Sequence, residues 1–476
     1  MLSILVCHSY FQRFDPKQVE RGKPYPPLAT LQCAALLRRA GHRVSLFDAM
    51  LAEDLGEYER TLHSVQPQVV LLYEDNFNFL SKMCLAKMRG AACQIIAAAC
   101  GAGARVIAAG SDVTDAPEPY LRAGADVALK GEGLPALLEL LRRLDLTPDA
   151  PASSLVQGVA GTATLAGRGV SAINGAKLLP EVELSERAAW DLVDMDRYRD
   201  AWLAAHGYFS LNLAASRGCS FRCAWCSKPI WGNHYLQRAP AAVGLEMSYL
   251  KRTFAPDHLW FADDIFGFRV DWVREFAAVT HESDGAIPFT IQTRADLLSE
   301  RMVQALRDAT CIEAWLGAES GSQRILDAMN KGTTVEEIVT ARARLKAAGI
   351  RVGFFIQLGY LGEELPDILA TRELLTTAQP DDVGVSVSYP LPGTRFHELV
   401  KAQLGPKTHW QDSDDLAMMF RGTYRSEFYR AVRDLLHDEV SLQARARSPR
   451  VPLADARGLL ERRWQELMSQ EMHYRS

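Results

Sequence analysis

The sequence predicts an α/β protein built in three parts: a doubly wound parallel sheet over residues 1–145, a partial barrel over 208–400 and a helical region over 401–476, with a linker at 146–207. Three observations predict it. The first 145 residues alternate short apolar runs with stretches of helical periodicity, the pattern of a parallel sheet covered by helices. A second alternation of the same kind runs from Leu211 to Tyr389. Beyond Ala402 no strand pattern recurs.

Taken in order, the first strands are expected at Ser3–His8, Arg43–Asp48, Gln68–Tyr73, Arg105–Gly110 and Asp126–Gly131. Helical periodicity at Leu28–Ala40, Leu80–Ala99 and Leu134–Leu144 supplies helices between them. Ligands of such sheets bind over the carboxyl ends of the strands, near a switch in strand order. The loops to watch are therefore His8–Pro27, Glu74–Asn78, Gly110–Pro119 and Gly131–Gly133. Pro148, Pro151, Gly158, Gly161, Gly167 and Gly169 break up the linker, which is read as irregular with a small hairpin and a closing helix at Met195–Ala205. Leu211–Ser216 opens the barrel; His258–Ala262, Phe289–Arg294, Ile312–Gly317, Val352–Gly359 and Val383–Tyr389 continue it. Helical segments at Val270–His281, Glu300–Ala309 and Val335–Ala348 separate these strands. Six strand–helix units are too few to close an eight-stranded barrel, so an open-sided one is expected. In the tail, 430–436 and 459–464 have amphipathic spacing and are expected to pack on the barrel.

At about 150 residues per domain, 476 residues make roughly three units and bury a large core without disulfide staples. The composition, 48% hydrophobic and 23% charged, excludes disordered, collagenous and disulfide-scaffold classes. Lys+Arg at 53 against Asp+Glu at 58 leave a charge of −5, which argues against nucleic acid as partner. Met1–Cys7 runs into a strand pattern without a basic leader, so no secretory signal is expected. The most apolar stretch, Ala91–Gly110, is interrupted by Gln94, Gly101, Gly103 and Arg105, too broken for a membrane span. Nine cysteines, an odd number, read as thiols or metal ligands in a cytoplasmic protein.

The sharpest signal is Arg217-Gly218-Cys219-Ser220-Phe221-Arg222-Cys223-Ala224-Trp225-Cys226. Three thiols spaced C-x3-C-x2-C after a strand can converge on one metal centre, and thiolates select zinc, copper(I) or iron–sulfur clusters. Zinc would need a fourth ligand, for which His234 is the nearest candidate. Three buried apolar cysteines would be the bland account. With Trp225 as the aromatic before the third cysteine, this loop resembles that of the radical S-adenosylmethionine (SAM) superfamily. The resemblance extends along the barrel. Phe261-Ala262-Asp263-Asp264-Ile265-Phe266 is similar to the end of the family's second strand, and Ile291-Gln292-Thr293-Arg294-Ala295 to that of its third. Gly317-Ala318-Glu319-Ser320-Gly321-Ser322 resembles the fourth-strand motif near SAM. Phe355–Gly359 and Tyr389–Thr394 match the fifth and sixth strand ends, although Tyr360-Leu361-Gly362 stands where Pro-Gly is common. Taken singly, Asp263-Asp264 also reads as a strand-end turn and Glu319-Ser320 as a helix cap.

The resemblance implies that Cys219, Cys223 and Cys226 hold three irons of a [4Fe–4S] cluster whose open iron binds SAM. One electron from the cluster then cleaves SAM to methionine and a 5′-deoxyadenosyl radical, which abstracts hydrogen from an unactivated carbon. Asp263, Gln292, Arg294, Glu319 and Ser320 are the implied SAM or substrate positioners.

The front part resembles the cobalamin-binding domain of the B12-type radical SAM subfamily, through Pro26-Pro27-Leu28-Ala29, Leu36–Val44, Val127–Gly133 and Ala188–Leu192. The family's D-x-H-x-x-G cobalt-ligand string is absent, as in several subfamily members, and His8 reads as a polar loop residue. Gly110 and Ser111 are placed at the nucleotide tail of cobalamin, and Glu74 and Asn76 beneath the corrin. The implied function is a cobalamin-dependent methyltransferase acting on a small molecule, served by an electron donor such as flavodoxin or ferredoxin. Its alternative is an oxidative cyclase resembling the anaerobic magnesium-protoporphyrin ester cyclase. A methylthiotransferase would need a second cluster on Cys7, Cys33 and Cys84, which instead fall in apolar core patterns. An iron–sulfur or B12 carrier would have no use for the Glu319-Ser320 and Gly359 strand ends. Trp410, Phe420, Tyr424 and Tyr429 are read as packing between tail and barrel in preference to a substrate wall.

Overall fold

A computed structural model describes residues 1–78, 85–167, 169–173, 187–228, 230–404, 416–446 and 454–476. Ser3–Cys7 (β1), Arg43–Phe47 (β2), Val69–Tyr73 (β3), Arg105–Ala109 (β4) and Val127–Leu129 (β5) form the first sheet's parallel strands. β1 and β3 are buried at every residue, which is why they read as unbroken apolar runs rather than alternating ones. Helices Leu28–Arg39 and Leu134–Leu146 pack on one face of the sheet and Leu55–Val65 and Leu85–Gly101 on the other. The strand order β2-β1-β3-β4-β5 is the flavodoxin-like doubly wound one, and its switch point lies between β1 and β3. The linker hairpin is Thr162–Ala166 (β6) and Gly169–Ile173 (β7); it pairs antiparallel with β5 and extends this sheet to seven strands.

The second sheet is an open half-barrel of six parallel strands. They are Ser210–Leu213 (β8), His258–Phe261 (β11), Phe289–Thr293 (β12), Cys311–Glu319 (β13), Arg351–Leu358 (β14) and Asp382–Val387 (β15), paired in chain order. The run expected as one strand at Leu211–Ser216 ends at Leu213. Asp263, at the end of β11, takes hydrogen bonds from Ala215 N–H (2.9 Å) and the Ser216 hydroxyl, and so draws the chain out of the sheet. Ser216–Gly218 (β9) then pairs antiparallel with Tyr235–Gln237 (β10), and this hairpin carries the cysteine loop.

Alternation sorts the barrel side chains. Ala314, Leu316, Val352, Phe354 and Ile356 face the helices and are buried, whereas Trp315 and Phe355 point inward and stay partly exposed. Their rings stack with centroids 4.9 Å apart over Gly353, where a Cβ would stand 2.5 Å from the indole.

Tail helices Ser426–Ala446 and Ala454–Ser469 close on helix Leu365–Ala378 through Arg372, which pairs with Glu439 (2.9 Å) and Glu461 (2.6 Å). Helix Met195–His206 joins the two sheets: Trp202 Nε1 donates to Pro24 O (2.6 Å) and Tyr198 OH to Asp48 Oδ2 (2.6 Å). Among the described residues no helix is long and apolar enough to cross a membrane.

Candidate functional site

The cysteine loop is pinned to the barrel by its backbone. Ala224 N–H donates to Met329 O (2.8 Å), Phe396 N–H to Ala224 O (2.9 Å) and Asn330 Nδ2 to Arg222 O (2.8 Å). Lys228 Nζ closes the loop on itself by donating to Cys219 O (2.7 Å) and Phe221 O. Cys219, Cys223 and Cys226 are partly exposed, whereas Cys7, Cys33 and Cys311 are buried in the core and burial pushes their thiols up. The core placement of Cys7 and Cys33 agrees with the sequence reading; Cys84 lies outside the described residues. Among the described residues no three His, Cys, Asp or Glu side chains are gathered as a metal cage. What the loop offers is three accessible soft donors with a cation beside them.

That cation is Arg294. Its guanidinium lies 3.8 Å from the Phe221 ring centroid and reaches Cys223 Sγ at 3.7 Å. It is aimed there by a two-point bond to Asp296 (2.9 and 3.0 Å) and by Lys331 O (2.7 Å). Lys331 in turn holds Glu319 Oε1 at 2.8 Å, with both side chains buried. Cys223, Arg294, Lys331 and Glu319 thus form one polar wall from the cysteine loop to the end of β13.

Glu319 sits at φ 62°, where non-glycine residues are uncommon, at a register shift between β13 and β14. A Cβ on Gly317 would stand 2.6 Å from Lys331 Nζ and 2.7 Å from Glu319 Oε1, so only glycine leaves the pair its place. Ser320 is turned into the packing, its hydroxyl 3.3 Å from Thr371 Oγ1 and accepting from Ser322 N–H (3.1 Å). Asp263, beyond the end of β11, is buried against the β8–β9 turn, and burial pushes its carboxyl up to about 7. Gln292 is partly exposed on β12.

Two participants escaped the sequence reading. Lys331 follows a short helix in an Asn-Lys-Gly turn, and nothing in that string marks a buried cation. Glu363 is fully buried beyond β14, accepts from Gly359 N–H (2.5 Å), and is pushed by burial up to about 8. An acid four residues after a strand-end glycine was the available signal.

At the other sheet, Glu74 ends β3 and crosses the switch point to Ser9, accepting from its hydroxyl (2.5 Å) and its N–H (3.2 Å). Gly110 presses against Glu74, whose Cγ would lie 2.7 Å from a Cβ there. Ser111 opens a short helix beside it, and Asn76 Oδ1 is buried with no protein partner. His8 is tied to the β2 loop, its Nε2 2.9 Å from Asp48 Oδ1 and 3.0 Å from Ala49 N. Phe420 meets Phe396 edge-on (5.2 Å) and the Tyr424 hydroxyl accepts from Leu365 N–H (2.9 Å), both between tail and barrel as expected; Trp410 lies outside the described residues.

Residues 213–375 match the model of the radical SAM superfamily. Over 387 residues the chain is 25% identical to an uncharacterized methyltransferase of Pyrococcus horikoshii, with 79% of each chain covered. It is 26% identical over 291 residues to the anaerobic magnesium-protoporphyrin IX monomethyl ester cyclase of Rubrivivax gelatinosus, covering 59% of this chain and 49% of the cyclase. Among solved structures it is similar to the radical SAM methyltransferase TsrM of Kitasatospora setae, with TM-score 0.68, 19% identity, and 85% of this chain and 77% of TsrM covered. A second TsrM structure holds cobalamin and a [4Fe–4S] cluster. The half-barrel is a radical SAM domain, and the chain is an enzyme.

Proposed function

We propose that this enzyme is a cobalamin-dependent radical SAM methyltransferase acting on an unactivated carbon of a small molecule. The observation that carries the reading is the polar wall Cys223–Arg294–Lys331–Glu319, which joins three accessible thiols to a strand end in a half-barrel packed against a flavodoxin-like sheet. When bound, the cluster and cobalamin supply the electron that cleaves SAM and the methyl group that is transferred. The chain's own residues bind and orient. Cys219, Cys223 and Cys226 hold three irons as thiolates, and the Arg294 guanidinium sets a positive charge beside Cys223. Glu319 and Lys331 present a carboxylate and an ammonium, complementary to the amino and carboxylate groups of SAM. Gln292 is partly exposed on the neighbouring strand β12, while Asp263 and Ser320 brace the strand ends. At the switch point the orphan acceptor Asn76 Oδ1 suits the amide N–H groups that fringe a corrin, and Glu74, Gly110 and Ser111 form the adjoining rim. A low-potential donor such as flavodoxin or ferredoxin would reduce the cluster.

The test is anaerobic reconstitution with iron, sulfide and hydroxocobalamin, followed by desalting and metal analysis. About four irons and one cobalt per chain are expected. Iron without cobalt removes the methyltransferase reading, and a chain that takes up no iron removes the cluster as well. Similarity to the ester cyclase favours a second reading, oxidative ring formation. Methyl-labelled SAM separates the two, because only transfer leaves label in the product.

A further inference from the structure

We infer that Glu132, on the doubly wound domain, is the positioning residue of the cysteine loop; the inference rests on the reading above only in taking that loop as the cluster holder. Glu132 lies between Gly131 and Gly133, whose φ values of 70° and 71° bend the turn after β5 out of its own sheet. Its Oε1 accepts from Arg217 Nη1 and from Trp231 Nε1 (3.3 Å), and its N–H donates to Ile230 O (3.1 Å). Arg217 stands two residues before Cys219, and Ile230 and Trp231 stand four and five residues after Cys226. A single residue therefore grips both feet of the loop.

The neighbouring contacts agree. The second arm of Arg217 donates to Gln32 Oε1 (2.6 Å), and Trp231 packs on Phe77 with centroids 5.3 Å apart. Gln32, Phe77 and Glu132 all belong to the front domain, so both ends of a loop whose backbone is pinned to the barrel are also gripped from outside it. Glu132 is 2% exposed, and a buried ion pair of this kind adds little net stability while fixing geometry closely. Its second oxygen, Oε2, is buried with no protein partner, a penalty that packing for stability alone would not retain.

The experiment compares the full chain with Glu132→Gln, Glu132→Ala and Tyr198→Phe. Tyr198→Phe cuts a separate contact of the front domain, made by the connecting helix to Asp48 at 2.6 Å. Hydrogen exchange is followed on the iron-free protein, and electron paramagnetic resonance on the reconstituted, reduced protein with and without SAM. Glu132→Gln is expected to exchange residues 219–231 about tenfold faster while the barrel strands stay protected, and to alter the cluster signal. Tyr198→Phe is expected to leave both at wild type. Wild-type exchange and signal in Glu132→Gln overturn the inference, and so does equal loosening of the loop by Tyr198→Phe. Should Glu132→Ala fail to fold, Glu132→Gln decides. A wild-type chain that takes up no iron counts against the proposed function alone, because the iron-free exchange still judges Glu132.

Discussion

Glu319 combines two features that a stability-driven residue would avoid: a left-handed backbone and a buried charge. Such positions persist where surrounding structure over-determines them, commonly at functional sites. Here the over-determination is visible as Lys331 on one side and the missing Cβ of Gly317 on the other. Glu319→Gln keeps the shape and removes the charge. Its expected effect is at least about a tenfold rise in the SAM dissociation constant, roughly 1.4 kcal/mol, with iron content unchanged. Equilibrium dialysis measures it, and an unaltered affinity would show that Glu319 serves only Lys331. The sequence marked Glu319 through the Gly-Ala-Glu-Ser string but left Lys331 unseen, because its importance lies in a fold-back of twelve positions that no local pattern encodes. Asp263 shows the opposite case: its string resembled a ligand-facing strand end, and the side chain is bonded to the β8–β9 turn.

At the scale of elements, the loop after β14 holds a protonation switch that can be read out by stability. Gly359 N–H donates to Glu363, while Asp367 acts on it from the following helix, Arg324 from the short helix Gln323–Ala328, and Tyr429 faces it from the tail. Burial raises the Glu363 carboxyl from 4.5 to about 8, so the folded chain keeps a proton that the unfolded chain releases. Its contribution is full below about pH 4.5 and is lost as pH rises through 8, with a slope of up to about 1.4 kcal/mol per pH unit. Glu363→Gln carries no such proton. Its stability relative to the wild type should therefore climb between pH 5 and pH 8 in denaturant titrations, and a flat difference would place the carboxyl in water. The strands themselves were legible wherever burial on both faces left unbroken apolar runs, as in β1 and β3. The division of β8 from β9 was not, since the hydrogen bonds that make it come from Asp263, about fifty residues downstream. Attachment of the β6–β7 hairpin to the first sheet was equally hidden, because a hairpin's turn residues do not name its neighbour.

For the molecule as a whole, the question is whether two sheets and a tail behave as one body. Chains of this size commonly unfold in steps, domain by domain. Here one apolar cluster joins Tyr10, Leu28, Leu31 and Met50 of the front part to Trp190 and Trp202 of the connecting segment. It runs on through the barrel to Tyr424 and Trp464 of the tail. Trp202 is its hinge: the indole is buried, packs on Tyr25 (5.2 Å) and Tyr208 (5.4 Å), and donates to the Pro24 carbonyl. Because Pro24 and Tyr25 lie on the loop that leads from the front sheet, removing the indole opens the junction rather than either core. Trp202→Ala should cost about 3–5 kcal/mol. If the cluster couples the parts, calorimetry will show one transition shifted down as a unit. Should the front sheet melt separately while the barrel keeps its wild-type midpoint, the parts are independent, and the grip of Glu132 on the cysteine loop would be the main route by which one reports to the other.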